Sequence, residues 1–420
     1  MASKTFAEKM FGKACGNPGV SAGDAVYPDP ELVIIHDGYL SAAHKELKEL
    51  GYRRIAHPER VIAVTDHEVV YSNAAAVIRG QMNRKAVEAW PGSRLYDAGQ
   101  GGHGHVFPME TGLVQAGMFL IAYDGHCSNF GAIGAYAMGT NTDITVVLAT
   151  GTRLSVVPET IVVTLAGRLQ PGVQGRDVGF RLSRDLMSER YGFSAETAVV
   201  EFQGAAADQM PVATRVGVIN TLTEIYAGNV LFPPMTYEGV PIAEFGHLPS
   251  DAAAQFRGRI EIDLCDAEPT IALPGSPDNA ADVSVAAGVR VDHAFIGACG
   301  SSQYDDLKSA AELLRGRRIA PGVRLFIVPG SVGIARRLMN EGLAQVFVDA
   351  GAFVLPSGCG PCAGGAIGPV GPGEISISTA ATNTRGRMGA MDAEYYLGSP
   401  LTVAASAIRG QITDPREVMA

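Results

Sequence analysis

His293-Ala294-Phe295-Ile296-Gly297-Ala298-Cys299 is an apolar run of strand length that breaks on a glycine and ends on a thiol. Read as a β-strand, it carries a cysteine to a carboxyl-terminal strand end, where open α/β sheets bind their ligands. Working outward toward the C-terminus, Arg324-Leu325-Phe326-Ile327-Val328 and Gln345-Val346-Phe347-Val348 read as further strands of the same unit. Ala352-Phe353-Val354-Leu355 then leads into Cys359-Gly360-Pro361-Cys362. Near the N-terminus the same grammar recurs. Leu32-Val33-Ile34-Ile35, Val61-Ile62-Ala63-Val64, Met118-Phe119-Leu120-Ile121-Ala122 and Ile144-Thr145-Val146-Val147-Leu148 read as strands between polar or glycine-rich turns. Leu40 to Leu50 places its apolar residues at helical spacing, as does a helix through Val216-Gly217-Val218-Ile219-Asn220. Strands alternating with helices predict an α/β fold in layers.

A chain of 420 residues exceeds one ordinary core. The small-residue stretch from Tyr191 to Asp208 reads as a connection, and a proline-bearing region from Glu268 to Asn279 as a second one. The expectation is three α/β units, 1–190, 191–288 and 289–420. Hydrophobic content of 47% against 18% charged residues supplies large buried cores. A formal charge of −10, with no basic stripe, argues against general nucleic-acid binding. No window holds enough consecutive apolar residues for a membrane span, and the charged N-terminus lacks a signal-peptide core. Six cysteines in so long a chain do not make a disulfide framework, which fits a reducing cytoplasm.

Cys299, Cys359 and Cys362 all lie on glycine turns after strands. Three thiolates are an incomplete set, because a structural zinc or an ordinary iron–sulfur cluster takes four protein ligands. A cluster held by three leaves one metal open to act as a Lewis acid. Taken alone, the CxxC pair also suits zinc or a redox dithiol. Cys15 and Cys265 read as small buried hydrophobes. Four of the nine histidines occur in the short polar motifs Asp66-His67, His103-Gly104-His105 and Asp124-Gly125-His126. A carboxylate beside an imidazole sets its orientation and protonation, as acid–base chemistry requires. The last motif follows a strand and leads into the helix-like Gly131 to Met138.

In order along the chain, these segments resemble the large subunit of the aconitase superfamily, of the 3-isopropylmalate dehydratase type. Thr65-Asp66-His67 resembles the family's Asp-His motif, and Gly102-His103-Gly104-His105-Val106 its histidine segment. Asp124-Gly125-His126 takes the place of its Asp-Ser-His motif. Asn220 and Glu224 match a helix near the cluster. Ile296-Gly297-Ala298-Cys299, then Val328-Pro329-Gly330-Ser331 and Gly358-Cys359 with Cys362, match the cluster segments. The resemblance implies three α/β/α-type domains around a cluster cleft. It also implies a 4Fe-4S cluster on Cys299, Cys359 and Cys362, whose open iron binds the hydroxyl and carboxylate of a small hydroxy acid. By position, Asp66 and His67 would protonate the leaving hydroxyl. His105, Asp124 and His126 would hydrogen-bond the iron-bound oxygen, and Asn220 and Glu224 would support the open iron.

The match breaks in two places. The family's substrate segment, Ser-x-x-Asn-Arg-Asn-x-x-Gly-Arg, here reads Ser378-Thr379-Ala380-Ala381-Thr382-Asn383-Thr384-Arg385-Gly386-Arg387. Arg387 persists, but Ala381 and Thr382 replace Asn and Arg, which removes one bidentate carboxylate clamp. Arg385 is the candidate substitute. Gly300-Ser301 likewise replaces a Thr-Asn pair after the first cysteine. The family's mobile swivel domain, which carries the serine base, has no counterpart before Ala420, so a separate small subunit is expected to supply it and the chain alone to be nearly inactive. The reading is an iron–sulfur hydro-lyase or isomerase subunit for an isopropylmalate-like acid. The alternatives are a maleate- or citraconate-type hydratase subunit, or a cluster-sensing, RNA-binding scaffold.

Overall fold

The computed structural model describes residues 3–225, 227–237 and 248–419. Three sheets carry the architecture. The first has five parallel strands in the order Arg94–Tyr96, Val61–Val64, Leu32–His36, Phe119–Tyr123, Tyr136–Thr140. The chain works outward on one side of Leu32–His36 and then crosses to the other. That topological switch opens a crevice beyond the strand ends. His36, Asp66 and Asp124 lie at or just past three of those ends.

The second sheet is parallel too, ordered Asn229–Leu231, Val199–Gln203, Thr160–Ala166, Gly258–Asp263. It shares a core with the first sheet. Ile34, Ile62, Val64 and Leu120 from one face of the first sheet join Ile161, Val163, Val200 and Phe202. Val33, Ile35, Ala63 and Ile121 fill the other face. Both faces of these strands are therefore buried, and each fully covered Ile, Leu or Val contributes about 1.5–3 kcal/mol. Such strands read as unbroken apolar runs rather than as alternation.

The third sheet has seven strands, Ala280–Asp282, Thr270–Ala272, Glu394–Leu397, Ile375–Ser378, His293–Ile296, Arg324–Ile327 and Phe353–Val354. Its two edge pairings at Thr270–Ala272 are antiparallel and the remainder parallel. Here the switch falls between His293–Ile296 and Ile375–Ser378, so Cys299 and the Ser378–Arg387 segment leave adjacent strand ends.

The carboxyl ends of the first and third sheets meet. Gly102 bridges to Ser331, Cys359 N–H donates to Asp66 O at 2.8 Å, and Asn129 Nδ2 donates to Cys299 O at 2.9 Å. Two apolar runs expected as strands are helices. Ile144–Thr150 is a helix whose end is set by Gly151 at φ 86°, with Ile144, Thr145, Val147 and Leu148 buried and Val146 turned outward. Leu343–Ala350 is bracketed by Gly342 and Gly351, both left-handed, and holds the expected Gln345–Val348 strand. Runs this short fit either period, and the flanking glycines decide between them. The expected helix at Gly131 to Met138 is instead the end of a 3-10 segment, Gly125–Ile133, followed by the strand Tyr136–Thr140.

The sheets also cut across the expected junctions. Thr160–Ala166 pairs with Val199–Gln203 from the presumed connection, and Thr270–Ala272 joins the third sheet. Cys265 is exposed and Cys15 partly so, not buried as expected. Among the described residues no helix is long and apolar enough to cross a membrane.

Candidate active site

Asp66 follows the strand Val61–Val64 and is fully buried. Its carboxylate accepts from His36 Nδ1 at 2.9 Å, His67 Nδ1 at 2.8 Å and Gly104 N–H at 2.8 Å. Burial alone would raise this carboxyl, but the imidazoles of His36 and His67 outweigh it and hold it well below the usual carboxylate range. Burial would likewise lower His67, but the Asp66 carboxylate, with Asp37 at 3.0 Å, pushes it well above its ordinary value. Gly104 must lack a side chain, since a Cβ there would meet His36 Cε1 at 2.4 Å. The two flanking histidines can therefore turn inward. His103 Nε2 lies 3.3 Å from Cys359 Sγ, and burial lowers His103 to about 4.

His105 is buried, and among the described residues neither ring nitrogen has a hydrogen-bond partner. Burial and the neighbouring His36 depress it well below the ordinary imidazole value. Its ring centroid lies 4.5 Å from that of His36 and 6.3 Å from that of His126. An imidazole with two orphaned nitrogens in a cavity lacks a partner for them.

His126 is clamped at both nitrogens, by Asp124 Oδ1 at 2.7 Å and Glu224 Oε1 at 2.6 Å. Burial would lower it, but the Asp124 carboxylate foremost lifts it well above its ordinary value. Asp124 has φ 92°, a conformation that costs a non-glycine residue about 1–3 kcal/mol. Acceptance of the His126 N–H by its own carboxylate at 2.7 Å helps hold it there. Ala298, beside Cys299, is also left-handed, at φ 57°. Strain thus sits at the strand ends that face the cavity.

The cavity has about 340 Å³ of empty space, the open solvent at its mouth included, and is lined by His67, His103, His105, Asp124, His126, Cys299, Cys359, Cys362, Ala381 and Arg387, among others. All three cysteines are free and buried. Asn220 Nδ2 donates to Cys299 Sγ at 3.1 Å, and Arg387 Nη2 approaches Cys362 Sγ at 3.6 Å. The Arg387 Nε has no partner among the described residues, and the guanidinium is pushed up chiefly by Cys362. Of the residues expected at a site, Arg385 stands apart, exposed and outside the cavity lining. His36, Asp37, His103 and Arg176 belong to the site's immediate surroundings and were not among the expected site residues. The His36-Asp37 pair ending the run from Leu32 is the sequence signal for two of them.

These residues fit a metal cluster. Burial pushes the Cys299 thiol up to about 11 and raises that of Cys359 well above its ordinary value, so thiolates here require bound cations. N–H donors already point at two of the sulfurs, as tuned cluster sites require. The ligand atoms of His103, His105 and Cys299 also lie within 4.8 Å of one another, close enough to hold a single ion.

A sequence profile of the aconitase family (aconitate hydratase) matches residues 12–238 and 284–410. The chain is 35% identical to the 3-isopropylmalate dehydratase large subunit 1 of Methanopyrus kandleri, over 98% of this chain and 99% of that one. It is 36% identical to the homoaconitase large subunit of Thermus thermophilus, over 99% and 98% respectively. In structure it resembles Thermococcus kodakaraensis aconitase X in its holo-form, with a TM-score of 0.51, 10% identity and 84% of each chain covered.

Proposed function

The chain belongs to the aconitase family, among its hydro-lyases, and from that premise we propose that it is the large subunit of an iron–sulfur dehydratase or isomerase. Its substrate would be a small hydroxy-di- or tricarboxylic acid of the isopropylmalate class. A separate small subunit, matching the relatives' designation as large subunits, would complete the site. One observation carries the reading. Three free buried thiols, four histidines held near carboxylates or, among the described residues, left without partners, and one arginine converge on a single cavity.

Cys299, Cys359 and Cys362 would hold a 4Fe-4S cluster with one iron lacking a cysteine. When bound, such a cluster supplies a Lewis acid that polarises a substrate hydroxyl. The chain's own residues supply the proton chemistry. His67, kept protonated by Asp66 and Asp37, can give its Nε2 proton to a departing hydroxyl. His126 is fixed by Asp124 and Glu224 as a cation in the lining of the same cavity, where it offsets negative charge growing on that oxygen. The unpartnered ring of His105 completes the oxygen's hydrogen bonds. Arg387 takes a carboxylate in its planar fork. Asn220 holds Cys299 in place. The carbon-bound proton leaves to a base on the small subunit.

A maleate- or citraconate-type substrate is the second reading. Ala381 lines the cavity where a longer polar side chain was expected, and Thr382 brings no guanidinium. The test is anaerobic reconstitution with iron and sulfide, followed by a panel of hydroxy-dicarboxylates offered to the complex with its small subunit. We expect a brown protein with broad visible absorption that Cys359→Ser bleaches. A colourless protein holding stoichiometric zinc after the same treatment would sink the proposal.

A further inference from the structure

Arg176 lies in the first turn of the helix Gly175–Met187 and is only 1% exposed. Among the described residues no carboxylate forms an ion pair with it, although Asp306 and Asp177 act on its charge from further off. Its Nη1 donates to Asn220 Oδ1 at 3.1 Å, its Nη2 donates to Ala380 O at 2.8 Å, and its Nε has no partner among the described residues. The guanidinium carbon stands 5.0 Å from the Phe180 ring centroid. Burying a cation without a counter-charge costs several kcal/mol. A fold keeps such a group only where something negative offsets it.

Beyond Asp306 and Asp177, a thiolate at Cys299 would supply such a charge one residue away. Asn220, which accepts from Arg176, donates through Nδ2 to Cys299 Sγ at 3.1 Å. With its oxygen fixed by the guanidinium, the amide can present only its NH2 to the sulfur. Gly300 makes the arrangement possible. A Cβ there would lie 2.3 Å from Asn220 Oδ1 and 2.5 Å from Arg176 Nη1. The glycine that breaks the expected Thr-Asn pattern after Cys299 is thus the one that admits a guanidinium. Arg176 does not line the cavity, so it acts through Asn220 and through its charge.

We propose that Arg176 is a positioning residue for the thiolate site: it aims the Asn220 amide at Cys299, and its buried positive charge favours the more negative, reduced state of the cluster held there. This rests on the cluster assignment above, and the experiment separates the two. The full chain is reconstituted anaerobically with iron and sulfide, its iron and sulfide are counted, and its reduction midpoint is found by electron paramagnetic resonance titration. Parent protein that takes up no cluster overturns the cluster assignment before any variant is made.

Given a parent cluster, Arg176→Met should shift the reduction equilibrium at least tenfold toward the oxidised form, about 59 mV for one electron. Arg176→Lys keeps the charge but not the fork, and should recover part of that shift. Gly300→Ala, which crowds the guanidinium and amide while leaving both in the chain, should move the midpoint in the same direction as Arg176→Met. A merely structural role would change cluster content or folding and leave the midpoint where it was. Parent-like midpoints in Arg176→Met with a full cluster overturn the inference. If Arg176→Met holds no cluster, parent-like midpoints in both Arg176→Lys and Gly300→Ala overturn it instead.

Discussion

Replacing Asp66 by asparagine keeps the side chain's shape and removes its charge, so it tests the hydrogen-bond hub in isolation. The carboxylate accepts from three N–H groups, those of His36, His67 and Gly104. An amide offers one oxygen in place of two and turns an NH2 toward a donor, so at least one buried donor loses its partner. That orphan costs about 1–3 kcal/mol, and loss of the buried charge from its pairs brings the total to about 3–5 kcal/mol. The kinetic effect is separate. Asp66 is the strongest of the groups that raise His67, with Asp37 remaining behind it. His67 should therefore lose its proton at lower pH in the variant, and the alkaline limb of the rate profile should move toward acid. General-acid catalysis is worth about 10²–10⁴-fold. With Asp37 still in place we expect the lower end, about 10²-fold in kcat at neutral pH. The assay is anaerobic steady-state turnover of the assembled complex across pH, with iron content and the melting midpoint measured on the same samples. A destabilised variant with full iron, parent kcat and an unmoved alkaline limb would refute the proton role of His67.

Further outcomes follow from other parts of the site. His126→Gln should lower turnover by about 10²-fold or more while leaving iron content unchanged, because it removes a fixed cation facing the cavity and not a ligand; near-parent turnover counts against that placement. Thr382→Arg should shift preference among hydroxy acids toward those with an added carboxylate, read as ratios of kcat/KM, and an unchanged profile with an intact cluster contradicts the reading of that segment. His293, buried between Ser376 Oγ at 2.9 Å and Gly368 O at 3.0 Å, is lowered to about 4 by burial. An unfolded histidine titrates near about 6.5. The neutral folded form thus stabilises the protein fully above that value, and the contribution drains away as pH falls toward 4. The span amounts to about 3 kcal/mol. Chemical denaturation at stepped pH should show His293→Gln losing less stability than the parent over this window, and equal losses would exclude the assignment.

What the sequence disclosed, and what it withheld, follows from where each signal resides. Leu32–Ile35, Val61–Val64 and Phe295–Ile296 were legible because both faces of those strands are buried, and burial on two faces writes itself as an apolar run. Ile144–Leu148 and Gln345–Val348 carry the same composition yet form helices. Only the left-handed glycines at 151, 342 and 351 mark the difference. At the site, motifs that place a carboxylate next to an imidazole were legible because their partner is local, as Asp124 is for His126. Glu224 and Asn220 reach their partners across the fold, and the family resemblance rather than local spacing pointed to them. Arg176 gave no signal at all. It is one arginine in a helical first turn, and its meaning comes from three distant segments closing around it.

That closure also bears on the altered substrate segment. Thr382 brings no guanidinium to the segment beside the cavity, but the region behind the wall is not left without cations. Arg176 holds the Ala380 carbonyl, immediately before the residue that lines the cavity, and so pins the segment from the protein side. Arg387 faces the cavity from the segment's far end. The two guanidiniums thus divide tasks that are coupled in a single clamp. One holds Asn220 and the loop, and the other, whose Nη2 lies at Cys362 Sγ, also faces the cavity where a carboxylate would sit. On this division, specificity would lie with Ala381, Thr382 and whatever the small subunit adds, the surroundings of Cys299 with Arg176, Asn220 and Gly300, and Arg387 would serve both. Substitutions at Ala381 or Thr382 should therefore change which acid is preferred without moving the cluster's midpoint, and substitutions at Gly300 should do the reverse.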